Sequence, residues 1–141
     1  MMWIVLVVAV VALLAFVRLA PSDAARWHQP ITATETADGE GSAVRVVQAD
    51  PDLLSDLDYT MRSLPRTRLL AGSLEEGRLT YVTRSKWMGF PDYTTIEQVG
   101  DQVDEQIRLY GRLRFGRSDM GVNAARMDGL LHQVRREGAG G

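Results

Sequence analysis

Ile107-Arg108-Leu109-Tyr110-Gly111-Arg112-Leu113-Arg114-Phe115 is the stretch that decides the fold. Side chains alternate across an extended strand, so Ile107, Leu109, Gly111, Leu113 and Phe115 share one face. Arg108, Tyr110, Arg112 and Arg114 share the other. The first set calls for a covering apolar layer, and the second must meet water, carboxylates or an anionic partner. Residues 78–85 read the same way, with Leu79, Tyr81 and Thr83 against Arg78, Thr80, Val82 and Arg84. If the two strands are near neighbours, one sheet face gathers Arg84, Arg112 and Arg114, extended at its ends by Arg117 and Lys86.

Working outward, residues 44–48, 67–72 and 94–99 also read as strands, and Ser73-Leu74-Glu75-Glu76-Gly77 as a hairpin-type turn. An aromatic-rich connection, Lys86-Trp87-Met88-Gly89-Phe90-Pro91-Asp92-Tyr93, joins the two strand pairs, and a polar loop starts at Gly100. Asp50-Pro51 predicts a helix start with Asp50 as N-cap. Leu53, Leu54, Leu57, Met61 and Leu64 form one apolar stripe on that helix, which ends near Ser63 before Pro65. A second amphipathic helix starts at Ser118-Asp119 and carries Val122, Met127, Leu130, Leu131 and Val134. The order β-α-β-β-β-β-α predicts an α+β fold over residues 44–136: a two-layer sandwich with a mostly antiparallel sheet of about five strands and two helices on one face.

Upstream, Trp3 to Val17 is an unbroken apolar run, followed by Arg18. Residues 1–20 therefore read as one transmembrane anchor, long enough to span and preceded by no basic residue of the kind a signal peptide prefers. Residues 21–43 are polar with no apolar period and read as a flexible linker, with Trp27 resting on lipid headgroups. Residues 137–141 read as a disordered Gly-rich tail. Arg18 and Arg26 just after the span favour a cytoplasmic domain by the positive-inside rule, whereas a long tether suits a domain held off the bilayer on the far side.

Composition excludes several function classes. The chain has 141 residues, a formal net charge of −2 and no cysteine. It is not a bulk-charge nucleic-acid binder, and disulfides, thiolate metal sites and a cysteine nucleophile are absent. Only His28 and His132 exist, one in the linker and one on the last helix, which makes a Ser-His-acid triad a poor fit. No phosphate-loop, dinucleotide or paired-histidine metal motif occurs, so no cofactor or metal is expected.

Phe90-Pro91-Asp92, then Arg112-Leu113-Arg114-Phe115-Gly116-Arg117-Ser118-Asp119-Met120-Gly121-Val122-Asn123 and Arg126, resemble the signature of domain-of-unknown-function family 1499 across residues 44–136. Tyr110, Gly111 and Leu113 depart from the serine-and-arginine interleaving usual there. The resemblance implies a mostly bacterial family, often with an N-terminal anchor and an exported domain, and no agreed activity. It marks Asp92, Arg114, Ser118, Asp119, Gly121, Asn123 and Arg126 as the positions that matter.

Three function classes follow. The first is a membrane-tethered binding or envelope-associated module, non-enzymatic, with an Arg-rich anion-binding sheet face. Its candidate ligand residues are Arg84, Arg112, Arg114, Ser118, Asp119, Asn123, Arg126 and Asp92. Its expected partners are the bilayer, through residues 1–20, and an anionic lipid, polysaccharide or protein. The expected place is the inner membrane, single-pass, with the domain on the periplasmic side. The alternatives are a hydrolase using Asp92 and Asp119, or a protein-interaction module using the Trp87/Phe90 loop. If Arg114 is internally paired, its loss should cost more stability than that of Arg78.

Overall fold

The computed structural model describes the backbone of residues 1–101 and 103–140, and side chains as far as Glu137. Gln102, in the expected polar loop, and Gly141, in the expected tail, lie outside the described residues. The fold is α+β, as the strand and helix periods predict. Helix α1 (Met2–Leu19) precedes a single turn, α2 (Ala24–Trp27). Then come β1 (Ala37–Asp38), β2 (Ser42–Gln48), α3 (Leu53–Ser63), β3 (Thr67–Ser73), β4 (Arg78–Arg84), β5 (Pro91–Val99), β6 (Gln106–Leu113) and α4 (Val122–Gly140). The six strands form one antiparallel sheet in the order β1-β2-β6-β5-β4-β3. The sixth strand is the two-residue β1, too short to show a period, which pairs Ala37 with Val44 and Asp38 with Ala43.

Alternation sets the two faces. Leu79, Tyr81, Ile96, Ile107 and Leu109 point to α3 and α4, where Leu57, Met61, Met127 and Leu130 close the main core. Burying such side chains supplies most of the driving force for folding. Gly111 sits on this face because Asn123 of α4 lies against it. A Cβ there would come within 2.7 Å of Asn123 Oδ1. Arg45 also points to this side, donating from Nε to Asp128 of α4 at 2.6 Å and from Nη1 to Asp38 of β1 at 2.6 Å. That fork ties the short edge strand to the last helix.

Several element ends shift from the sequence expectation, α4 starting at Val122 and not at Ser118-Asp119 and β6 ending at Leu113 and not at Phe115, and three further shifts have a local cause. The helix α3 starts at Leu53 because Asp50 Oδ1 accepts from the Asp52 N–H, closing a side-chain turn before the helix. Strand β5 starts at Pro91, where pairing of Asp92 with Leu113 extends the ladder. Helix α4 runs to Gly140, carried through Arg135, Arg136 and Glu137, which are good helix formers, where a tail was expected from residue 137.

The largest difference concerns residues 21–43. They are not a free linker. They cross the sheet face opposite the helices as a strap and return along the edge as β1. Trp27 is buried, with its ring stacked on Tyr93 at a centroid distance of 3.9 Å and an interplanar angle of 8°. Trp27, Tyr93 and Val82 form a second small core. The Trp27 expected at the headgroups therefore packs inside the protein. Its indole finds a flat aromatic partner there, a geometry that adds to its area burial.

Candidate functional site

The sheet face beneath the strap carries the arginines that the alternation predicts. Arg84 on β4 and Arg112 on β6 flank the central strand β5, and Arg114 follows the end of β6 on the same side. Their acceptors are oxygens of the strap, the strands, one loop and the end of α1. Arg112 donates to the carbonyl of Trp27, to Thr95 Oγ1 at 2.8 Å and to the Tyr110 carbonyl at 3.1 Å. Arg114 Nη1 donates to the Pro21 carbonyl at 2.8 Å and to Tyr93 Oη at 3.3 Å. Arg108 reaches the Ile31 carbonyl at 3.2 Å. Burial holds the Arg112 guanidinium down to about 10, against a raising influence of Tyr110 and Tyr93.

Arg84 joins the domain to α1. It donates to the carbonyls of Val17 (3.3 Å), Ala20 (3.4 Å) and Gly89 (2.9 Å). The last carbonyls of a helix lack intrahelical partners and carry the negative end of its dipole, so a guanidinium there is a fitting cap. Arg18 packs on Gly89, where an added Cβ would come within 2.9 Å of its Cγ. Phe16 meets Phe115 edge-on at 6.3 Å. The end of α1 is thus fastened to the β4–β5 and β6–α4 loops. Helix α1 is long and apolar enough to cross a membrane, with a mean hydropathy of 2.8, a pattern shared by anchors and signal sequences.

The eight candidate residues do not converge on one site. Asp92, Asp119, Asn123 and Arg126 lie on the helix side of the sheet, opposite the three arginines, because Asp92 and Arg84 sit at strand positions of opposite parity. Asp119 caps α4. Its oxygens accept from the Gly121 N–H (2.9 Å), the Asn123 N–H (3.1 Å) and Asn123 Nδ2 (2.7 Å). Burial raises the Asp119 carboxyl, but these donors outweigh it and the net direction is downward. Asn123 Oδ1 accepts from Arg126 (3.0 Å), whose other Nη lies 3.5 Å from Asp92. Burial raises the Asp92 carboxyl, and the Arg126 charge opposes it only in part. The chain Asp119–Asn123–Arg126–Asp92 braces the start of α4 against β5. Ser118 Oγ accepts from the Met120 N–H at 3.2 Å, which shapes the loop before the helix.

Two further acids pair with bases on the strap face. Arg78 Nε donates to Glu97 at 2.6 Å, and Glu97 Oε2 also accepts from the Ile31 N–H at 3.3 Å. His28 bonds Thr80 Oγ1 through Nδ1 and Glu76 through Nε2, each at 2.8 Å. Sequence reasoning missed these strap contacts. The signal available for them was a row of arginines that outnumbers the one acid on its strand face, Glu97, which obliges further acceptors, together with Trp27 and Ile31 standing alone in a polar stretch. In the Trp87/Phe90 loop, Trp87 is 80% exposed while Phe90 is half-buried.

A comparison with curated proteins finds no match. The profile of DUF1499, described as a protein of unknown function, matches residues 17–134. It starts at the end of α1, so the matched region takes in the whole strap as well as the sheet and helices, a wider span than residues 44–136. With a match over most of its length, the chain belongs to the DUF1499 family.

Proposed function

We propose that the protein is a non-enzymatic, single-pass membrane domain that binds anionic lipid headgroups at the end where α1 leaves it. The carrying observation is a group of cations at that end. Arg18, Arg84, Lys86, Arg114 and Arg117 surround the junction, and among the described residues none of them pairs with a carboxylate. Arg84 and Arg114 are held by carbonyls, and Arg18, Lys86 and Arg117 are exposed. Because Arg84 caps α1 directly, no slack separates these charges from the bilayer that α1 would cross. Basic residues close to an anionic surface each contribute about 1 kcal/mol of attraction.

The sheet face itself offers less than the sequence suggests, since the strap already supplies its acceptors. The exposed cations at the junction carry the binding. On orientation, the docked strap removes the free tether as a reason for export. The family resemblance still implies export, and Arg18 and Arg26 favour the cytoplasmic side.

The test uses the full chain in nanodiscs with spin-labelled phosphatidylglycerol or phosphatidylcholine. The motionally restricted fraction should be several-fold larger for the anionic probe and should fall with salt. Lys86→Gln combined with Arg117→Gln should reduce that preference. Equal fractions for the two lipids would remove the headgroup reading.

A further inference from the structure

Two loops at the junction end present apolar side chains to solvent. In the β4–β5 loop, Trp87 is 80% and Met88 41% exposed. In the β6–α4 loop, Met120 is 94% exposed. Neither loop is slack. Ser85 closes the first: its N–H donates to the Phe90 carbonyl and its Oγ accepts from the Phe90 N–H, both at 3.0 Å. Its carbonyl accepts from the Gly89 N–H at 3.1 Å, and Gly89 takes a positive φ of 69°. This tight loop turns Trp87 and Met88 outward. In the second loop, Met120 itself adopts a φ of 54°, an uncommon conformation for a residue with a Cβ. The Ser118 and Asp119 side chains hold it there.

Exposure alone does not mark these residues. Leu74, in the β3–β4 turn, and Val103, in the β5–β6 loop, are also exposed. Those two lie at the opposite end of the sheet, because the antiparallel register puts residues 74–77, Gly100 and Val103 away from the 85–90 and 114–121 loops. Place distinguishes the two groups. Arg18 packs on Gly89 and Phe16 packs on Phe115, so both junction loops touch the last turns of α1. Lys86 stands over the Trp87 ring at 5.1 Å, and Arg117 lies exposed three residues before Met120. An aromatic ring with apolar neighbours, flanked by cations, suits the boundary between headgroups and acyl chains.

We propose that the β4–β5 and β6–α4 loops seat the domain on the phospholipid surface that α1 crosses. Trp87, Met88 and Met120 enter the interfacial layer, and Lys86 and Arg117 meet the phosphates. This rests on the reading of α1 as an anchor. It fixes the tilt of the domain, with the β3–β4 turn farthest from the bilayer.

The chain has no cysteine, so each introduced one is a unique label site. Trp87→Cys, Met120→Cys, Leu74→Cys and Val8→Cys, each in the full chain in vesicles of mixed phosphatidylcholine and phosphatidylglycerol, would carry a nitroxide. Collision rates with oxygen and with a water-soluble nickel chelate give its depth. The label at 8 reports the span. Labels at 87 and 120 should favour oxygen over nickel several-fold more than the label at 74. If 8 lies in the bilayer while 87 and 120 match 74, the seating proposal is overturned and the anchor stands. If 8 is also aqueous, the anchor reading fails and takes the seating with it.

Discussion

The two faces of the sheet are built by different means. One is closed by α3 and α4 through apolar side chains, with Leu57, Met61, Ile107 and Leu109 fully buried. The other is closed by a strap with little regular structure, which contributes the Trp27 ring, backbone carbonyls and a few polar side chains to a row of arginines. The first closure depends on periodicity and area. The second depends on directed hydrogen bonds from guanidinium groups, which are stronger than neutral ones and need their acceptors in place. A polar sheet face can therefore be an interior surface when the chain brings its own carbonyls to it.

The largest effect expected from this comparison comes from the apolar anchors. Leu109→Ala should destabilise the protein by about 3 kcal/mol, and Trp27→Ala by a similar amount, seen as matched falls in Tm. If Trp27→Ala leaves the Tm unchanged, the strap is only loosely laid on the sheet and the two closures are not equivalent.

A smaller contrast separates two arginines on the strap face. Arg78 pairs with Glu97, whose side chain is only 8% exposed, whereas Arg114 meets carbonyl and hydroxyl oxygens at the rim. Removing Arg78 leaves the buried Glu97 carboxylate without its cation, with the Ile31 N–H still donating to it. Arg78→Ala should cost about 2 kcal/mol and Arg114→Ala about 1 kcal/mol or less, measured by denaturant unfolding. The opposite order holds only if Arg114 is internally paired to a charge, and its acceptors are neutral oxygens. A larger loss for Arg114→Ala would contradict the predicted order.

The smallest effect is electrostatic and lies on the helix face. The Asp119 carboxyl is held below its ordinary value, so its contribution is present at neutral pH and is lost as pH falls through that lowered value. Asp92 is raised by burial and acts in the opposite sense, since protonation on acidification relieves its cost. Asp119→Asn keeps a capping acceptor and removes the titration. It should lower the Tm modestly at neutral pH, flatten its fall below the ordinary carboxylate range and bring the two proteins together in acid. An equally steep acid limb in the variant would show that Asp119 acts only through shape.

What could be read in advance follows the same division. The alternation in residues 78–85 and 107–115 places Arg84, Arg112 and Arg114 on one side, and the leucine stripe of α3 identifies the covering layer. Asp92, Asp119, Asn123 and Arg126 were named together with those arginines, yet they occupy the other side. Motif adjacency carries no face information across the β6–α4 loop, whereas strand parity does. The strap was illegible for a different reason. Its partners across the sheet face lie 48–93 residues away in sequence, and its own contribution is largely backbone, which looks alike in every residue.

The strap before β1, residues 21–36, forms a fixed layer of the domain, fastened to α1, and does not act as a tether. Nuclear Overhauser spectroscopy of the full chain in nanodiscs, with Trp and Tyr selectively labelled, tests it most directly. Cross-peaks between the Trp27 indole and the Tyr93 ring, with ring-current shifts on both, are the predicted result for centroids 3.9 Å apart. Solvent-like shifts for Trp27 and no contact with Tyr93 would contradict it.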